Sequence, residues 1–569
     1  MTAPAETETG IERLERMLGD PWDPANPVGH AAVLAADEAE EPFGAGERVL
    51  DEFGLNAEFV PPELGGRLTA LDRTAEVLRT VFRRDPALGL GYGASSLIAA
   101  VNVWTAGSAA QRRHTADLLL DGGRLIVGYH ELAHGNDLAR AELSALPGPD
   151  GALLLNGRKE VIANARRAEA MVLFALTAPG QGSRSHSQLL VDKADLPPGE
   201  PGYLPRFHSV GMRGVQLGGL EFRDCPVPAG AVLGRPGEGM ETALRSFQIT
   251  RTALPSMAVG VLEGGLDVAA AFTDERVLYG RSLAGMPHIR AILADAFADL
   301  LVCDAMATVA ARAVHLLPGA ASLYASATKY FVATLLTDAM YGLSRVLGAQ
   351  FYIREGAYAI FQKLARDLPP AGFGHAARAA CLATLLPQLP RVARRAWRDG
   401  GEEPPEALFR LGAGLPPLPF ADLALTSGGR DALSAGLAAA LDAPQVQGDV
   451  RRLLQVIAAE LSDLTAECAG LSPRELTVDA PAEALRLPAR YAAVLAAIAC
   501  ANVWLHNAGD DREFLADPIW VVAALRRIVA RLGRDPGRPP PHLSEPLCAE
   551  VLARHRDRRG MGLRDRRRP

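Results

Sequence analysis

The chain has 569 residues, with 59 Lys and Arg against 66 Asp and Glu, giving a net charge of -7 at neutral pH. That length exceeds what one core supports, so two to four domains with room for cofactor-sized clefts are expected. The mild charge excludes a general nucleic-acid-binding surface. The cysteines Cys225, Cys303, Cys381, Cys468, Cys500 and Cys548 are scattered and form no CxxC pair, which points to reduced core thiols rather than a disulfide framework or a zinc site.

In chain order, residues 1–48 mix Thr, Pro, Gly and Glu and read as a loosely attached arm or short helices. No basic segment followed by an apolar one opens the chain, so a secretory leader is not expected. From 49 to 125, the string TALDRTAEVLRTVF sets apolar side chains at helical spacing. Residues 126–235 change texture. LIVGYHEL, AEAMVLFALTA, HSQLLVDKADL and LGGLEFRDCPV are short runs separated by Gly, Asn, Asp and Pro, which predicts an antiparallel sheet domain. Residues 236–397 return to long Ala-rich helical runs, and 398–412 read as a linker.

Beyond it, 413–569 form another helical unit. Val450, Leu453, Ile457, Leu461 and Leu464 share one stripe, and a later helix starts at Asp517-Pro518 and stops at Gly533. The uncharged run Tyr491 to Asn507 is interrupted by Asn502, His506 and Asn507, so it predicts a buried helix rather than a membrane span. The basic tail RHRDRRGMGLRDRRRP reads as a solvated end. Generic motifs are silent: GxxxxGK[ST], HExxH and GxSxG do not occur, and GLGYGASS lacks the preceding strand and later acid of a dinucleotide site.

The ordered strings say more. GLNAEFVPPELGG, YHELAHGNDLARAE, LLLNGRKEVIANA and GMRGVQLGGLEFRDCPVPAGAVLGRPGEGM are followed by Arg251, ERVLYGRSL, the helix of Lys329, TDAMYGLSRVLGAQFY and Arg366-Asp367. Over residues 50–395 this series resembles the acyl-CoA dehydrogenase family. The resemblance implies a helical N-terminal domain, a middle antiparallel β domain and a C-terminal four-helix domain, enclosing FAD and an acyl thioester. The helices after the linker resemble the added domain of the longer, dimeric branch, which implies a homodimer.

Carried over residue by residue, the flavin-facing candidates are Tyr129, His130, Glu131, Gly135, Asn136, Val161, Ile162 and Ala163. Four of these depart from the family: His130 stands for Thr, Asn136 for Ser, Val161 for Trp and Ala163 for Thr. Arg276 matches the arginine that serves the FAD pyrophosphate across the dimer interface, where a guanidinium suits paired hydrogen bonds. Tyr279 stands beside it. Gly348 keeps one glycine of the stretch near the adenine end, while Leu347 replaces another. Arg251 is the substrate-binding candidate.

The implied chemistry removes the α-proton of a thioester while flavin takes hydride from the β-carbon, which requires a base on the opposite side of the acyl chain. The family's Glu sits nine residues after the Arg of Arg-Asp. Here a gapless count reaches His375, although matching the Phe-x-Gly texture instead would place Gly374 there. The alternative base location holds Thr250. His130 and Glu131 are further proton-transfer candidates, and Glu131 also reads as a structural acid. The implied substrate is an acyl-CoA or acyl-carrier-protein thioester, with an electron-transfer partner or oxygen as reoxidant and a cytoplasmic setting. Peripheral membrane attachment is not favoured, since no concentrated basic amphipathic face appears. Two other readings stay open: a flavin-dependent acyl oxidase or monooxygenase, and a non-enzymatic acyl-thioester-binding partner protein.

Overall fold

The computed structural model describes residues 10–180, 182, 184–374, 377–399, 401–477, 479–509, 513–540, 543–564 and 566–568. The chain opens with α1 (Gly10–Leu18), α2 (His30–Glu38) and α3 (Gly44–Phe53). Leu14, Leu18, Val33 and Leu50 from these helices are buried in the main core, so of the two expectations for this segment it is the short helices that the described residues show. α4 (Leu71–Arg84) follows, and then α5 (Pro86–Leu88) leads through a π-helical turn at Gly89–Ala94 into α6 (Ser95–Ala106). The turn occupies GLGYGA, so those glycines make a helix distortion of the kind often found at functional sites. α7 (Ala109–Leu120) is started by Ser108, whose side chain caps it in a capping box with Gln111.

The middle domain is a seven-stranded sheet made of β1 (Leu125–Gly128), β2 (Ser144–Pro147), β3 (Ala152–Ala163), β4 (Ala170–Leu176), β5 (His186–Asp192), β6 (Gly202–Leu204) and β7 (Leu217–Pro228), in the order β1-β4-β2-β3-β7-β6 with β5 against β4. Its pairings are mainly antiparallel, but β1 runs parallel to β4, as does the single β2–β4 pair. β4 reads as one unbroken apolar run because both its faces are covered, and Ala170 to Ala175 are all buried.

α8 (Gly239–Glu275), α9 (Pro287–Leu316) and α10 (Ala321–Leu347) are the long helices of the next bundle. A hairpin of β8 (Val277–Leu278) and β9 (Arg281–Ser282) joins the first two. The fourth position is filled by a broken helix. α11 (Ile360–Asp367) stops before Pro369-Pro370, α12 (Pro370–Phe373) is one turn, and α13 (Arg378–Leu385) and α14 (Leu389–Arg394) resume. Proline lacks an N–H and disfavours a helical residue before it, which explains the break.

After α15 (Ala396–Asp399), the predicted linker is packed rather than free: Arg312 donates to the carbonyls of Ala407 and Ala413 at 2.7 Å each. The additional helices are α16 (Ala432–Asp442), α17 (Gly448–Ala469), α18 (Ala482–Asn507), α19 (Glu513–Ala516), α20 (Pro518–Arg531) and α21 (Ser544–Arg556). They share the main core with α9 and α10. The spans 86–106, 239–275 and 482–507 are long and apolar enough to cross a membrane by length and composition, and each is packed inside the protein.

The basic tail is not a solvated end. It folds back over α4 and α8, burying Met561 and Leu563. Arg568 reaches Asp267 at 2.8 Å, Arg556 reaches Asp274 at 2.5 Å, Arg558 reaches Asp20 at 2.8 Å and Arg566 reaches Glu76 at 3.0 Å. The amide of Leu563 donates to Asp304 at 2.8 Å. These carboxylates come from five separated points of the chain, and that is why the tail's charge reads as unpaired when only the sequence is in view.

Candidate active site

Three parts of the chain meet around a cavity of about 630 Å³. The first is the loop after β1, the second the end of β3, and the third the proline break after α11. The cavity's interior wall is apolar and comes from α4, the π turn, α6 and α8.

Glu131 begins the loop. It is buried, its Oε1 lies 2.6 Å from Lys159 Nζ, and it accepts the amides of Glu142 and Leu143 at 2.8 and 3.0 Å. Burial would raise its pKa, but Lys159 and the two amides hold the carboxyl below its ordinary range. Burial pushes the fully enclosed Lys159 down, with Glu131 opposing. Lys159 thereby ties this carboxylate to β3, and the two amides tie it to the residues just before β2. His130 lines the cavity, with Nδ1 3.1 Å from the carbonyl of Gly135, and burial lowers its pKa. Gly135 has φ +54°, a left-handed value that suits glycine, and with Asn136 it forms an exposed rim.

Tyr129 stands behind this loop, outside the lining. Its hydroxyl donates to Asn102 Oδ1 at 2.6 Å and accepts from Gln188 at 3.1 Å, while its ring packs edge-on against Phe174 and Phe247. The period-two alternation of β3 sorts the next candidates: Val161 and Ala163 face the cavity, and Ile162 is buried in the sheet core. Asn164 follows with φ +58°; it is buried and joins the carbonyl of Gly91 in the π turn. The sheet domain is thereby fastened to the helical wall.

The Arg366-Asp367 pair opens the third part. Arg366 lines the cavity and contacts Asp37, Gln362 Oε1 at 3.0 Å and the carbonyl of Val210 at 3.2 Å. Asp367, with no exposure, accepts the amide of Met212 at 2.5 Å and Lys363 Nζ at 2.6 Å, and Lys363 also reaches Asp85 at 2.5 Å. Although burial opposes it, the two aspartates hold Lys363 above its ordinary value. This buried cluster fixes the chain as it enters Pro369 and Pro370, which line the cavity with Phe373 and Gly374. His375 lies outside the described residues.

Arg251 is buried one helical turn before Leu254, but it is not part of the lining. It turns toward α10 and α13, with Nη1 3.3 Å from Ser326 Oγ and 3.4 Å from Thr384 Oγ1, and burial lowers its pKa. Thr250 is buried too, its hydroxyl donating to the carbonyl of Phe247 at 3.4 Å. Arg276, Tyr279 and Gly348 are elsewhere: Arg276 and Tyr279 are exposed on the β8–β9 hairpin, and Gly348, φ +55°, caps α10. Sequence reading missed Lys159, Asn164 and Lys363. A lone lysine in a strand or helix carries no local sign that it will be buried with a carboxylate.

The Acyl-CoA dehydrogenase, middle domain model matches residues 127–225, and the Acyl-CoA dehydrogenase, C-terminal domain model matches 237–374. The probable acyl-CoA dehydrogenase FadE25 of Mycobacterium tuberculosis is 29% identical over 255 residues, 43% of this chain and 62% of that protein. The match thus spans about three fifths of such relatives' length. An acyl-CoA dehydrogenase of Bacillus anthracis, solved with FAD, superimposes with TM-score 0.63 and 17% identity over 97% of this chain and 96% of that one. The prolyl acyl carrier protein oxidase AnaB does so with TM-score 0.58 and 18% identity over 67% and 98%. The chain has an acyl-CoA dehydrogenase-family fold, extended by a helical region beyond its C-terminal bundle.

Proposed function

We propose that the protein is an FAD-dependent dehydrogenase of acyl thioesters. The observation that carries this reading is the convergence of the His130–Asn136 loop, Val161, Ala163 and the Pro369–Gly374 segment on one apolar chamber. Its 630 Å³ is within the usual range for cofactor and small-ligand sites. The fit to a flavin is physical. Leu132, Val161, Val210 and Phe373 line the same cavity yet leave large apolar side chains open at its mouth, with Leu132 and Phe373 each 60% exposed. A flat ring system would cover that surface. His130 and the loop amides would hold the polar edge of the ring, Val161 and Ala163 would form its flat wall, and Arg276 would pair with the pyrophosphate.

When bound, FAD supplies the acceptor for a hydride from the β-carbon. The chain's own residues do the rest. The imidazole of His375 takes the α-proton, a role supported by the gapless count of nine residues from Arg366 and by the absence of a carboxylate from Leu368 to Ala380. Glu131 serves as a structural acid, because its carboxylate is engaged by Lys159 and two amides. Arg251 would act on the substrate side through its helix.

The substrate is a CoA or acyl-carrier-protein thioester, and a homodimer brings Arg276 to the partner's cofactor. The exposed Tyr279, Val277, Tyr341 and Tyr352 support that contact, since large apolar side chains left in water mark interaction surfaces. An electron-transfer partner or oxygen reoxidises the flavin, and the setting is cytoplasmic.

A second reading, an acyl oxidase, draws on the absence of any carboxylate from Leu368 to Ala380 and on the shared fold with AnaB. Anaerobic mixing of the purified chain with acyl-CoA and acyl-carrier-protein panels, followed by admission of air, separates them. Dehydrogenation bleaches the flavin and yields the unsaturated thioester, and His375→Gln should slow bleaching by about 10²- to 10⁴-fold while keeping FAD. Failure of every thioester to bleach wild-type flavin refutes the reading, and rapid reoxidation of the bleached flavin by the admitted oxygen, with one hydrogen peroxide formed per turnover, selects the oxidase.

A further inference from the structure

The interior of the cavity has a definite end. Leu254, Ala258 and Val261 lie on one stripe of α8, which marks out about 10 Å of helix at 1.5 Å per residue. Near the Val261 end, Phe82 projects from α4 into the lining and is itself only 4% exposed.

Three features stop an apolar chain from passing it. First, α4 and α8 touch through their backbones there: a Cβ on Gly260 would lie 2.3 Å from the carbonyl of Arg79, and one on Gly264 would lie 3.0 Å from that of Arg83. Second, Arg79 and Arg83 on α4 flank Phe82 and pair with the buried Glu263 at 2.8 and 3.2 Å, a charged wall that repels hydrocarbon. Third, the ring is seated in a notch. Gly89, at the start of the π turn, has no side chain, and a Cβ there would lie 2.4 Å from Phe82 Cδ2 and 2.6 Å from Cε2.

We propose that Phe82, seated against Gly89, is the stop that sets the longest acyl chain the cavity accepts, an inference that rests on the acyl-thioester reading above. The two residues work as a pair with opposite consequences. Removing the ring deepens the chamber. Filling the notch drives the ring inward and shortens it. Gly91, two residues along the same turn, meets Val215 only at 3.4 Å, ordinary contact, so the close fit there is particular to Gly89.

The test measures straight-chain acyl-CoAs of rising length on the FAD-loaded protein, by calorimetric binding and by anaerobic flavin bleaching. Phe82→Ala should raise the kcat/KM ratio of the first rejected length over the longest accepted one by about 10- to 200-fold, the worth of one methylene in an apolar pocket. Gly89→Ala should move the limit to shorter chains. Phe82→Leu, a smaller change, should give a partial lengthening and replaces Gly89→Ala if that variant unfolds on heating at a much lower temperature. Opposite shifts in binding and in turnover, or lengthening that grows from Leu to Ala, support the stop. A wild type that binds a series of thioesters while folded Phe82→Ala keeps the same limit overturns it and leaves the thioester reading standing. A wild type that binds none of them overturns both.

Discussion

Replacing Glu131 by Gln should loosen the loop that forms one wall of the cavity. The substitution keeps the shape but removes the charge facing Lys159, which has no exposure and is otherwise met by the carbonyl of Tyr129 at 3.1 Å and the face of the Phe174 ring at 6.0 Å. An ammonium left unpaired in the interior costs about 3–5 kcal/mol. Because a chain of this size does not unfold in two states, the effect is best read locally. The amides of Glu142 and Leu143, which donate to the same carboxylate, should exchange with deuterium about 10²- to 10⁴-fold faster, at 1.36 kcal/mol per tenfold. Adding Lys159→Met should recover part of the loss, with a coupling of about 0.5–3 kcal/mol in the double-mutant cycle. The sign with pH follows as well. Glu131's folded pKa is below its ordinary 4.5, so its contribution is present above that value and is lost as pH falls through the folded pKa. Acceleration of less than tenfold in Glu131→Gln, or no rescue by Lys159→Met, would refute the view that this pair holds the loop.

Met561→Ala should destabilise the docked tail by about 2–5 kcal/mol, since the side chain is 1% exposed; unchanged protease resistance of the tail would count against its being packed. His30, whose Nδ1 is enclosed without a partner, has its pKa lowered from 6.5 to about 3 by burial and Arg84. The unfolded chain therefore binds the extra proton between those values, stability falls as pH drops from 6.5 toward 3, and His30→Gln should flatten that part of a pH–melting curve. Arg276→Ala should weaken FAD retention while the fold persists, and Arg276→Lys should rescue it only in part because an ammonium lacks the planar fork. Equal FAD affinity of the Arg276→Ala protein, measured by equilibrium dialysis, would remove Arg276 from the cofactor site.

How much was legible follows from the range of the interactions. The helix, sheet, helix order is written in local periodicity, whereas Val161, Ile162 and Ala163 all read as flavin-facing from the resemblance although strand alternation leaves only Val161 and Ala163 on the cavity and Ile162 in the sheet core. What could not be read depends on partners far along the chain. Lys363 needs Asp85, and Lys159 needs Glu131, before either buried lysine makes sense. The tail shows the same limit more strongly, because its arginines look solvated until Asp20, Glu76, Asp267 and Asp274 are brought beside them. Parallel pairing of β1 with β4 also escapes local pattern, since burial on both faces erases the alternation that would mark direction.

The docking of the tail also sets a clock on biosynthesis. Asp20 and Arg558 are 538 positions apart, so the N-terminal helices wait for that many residues to be made before their last ion pairs can close. At about 5–20 residues per second this interval lasts roughly half a minute to two minutes. During it, Glu76, Asp267 and Asp304 stand without their arginine and amide partners from the tail, and the apolar bed for Met561 and Leu563 is open. Nascent chains in this state are the ones that holding chaperones should capture, and release should coincide with the arrival of residues 556–568.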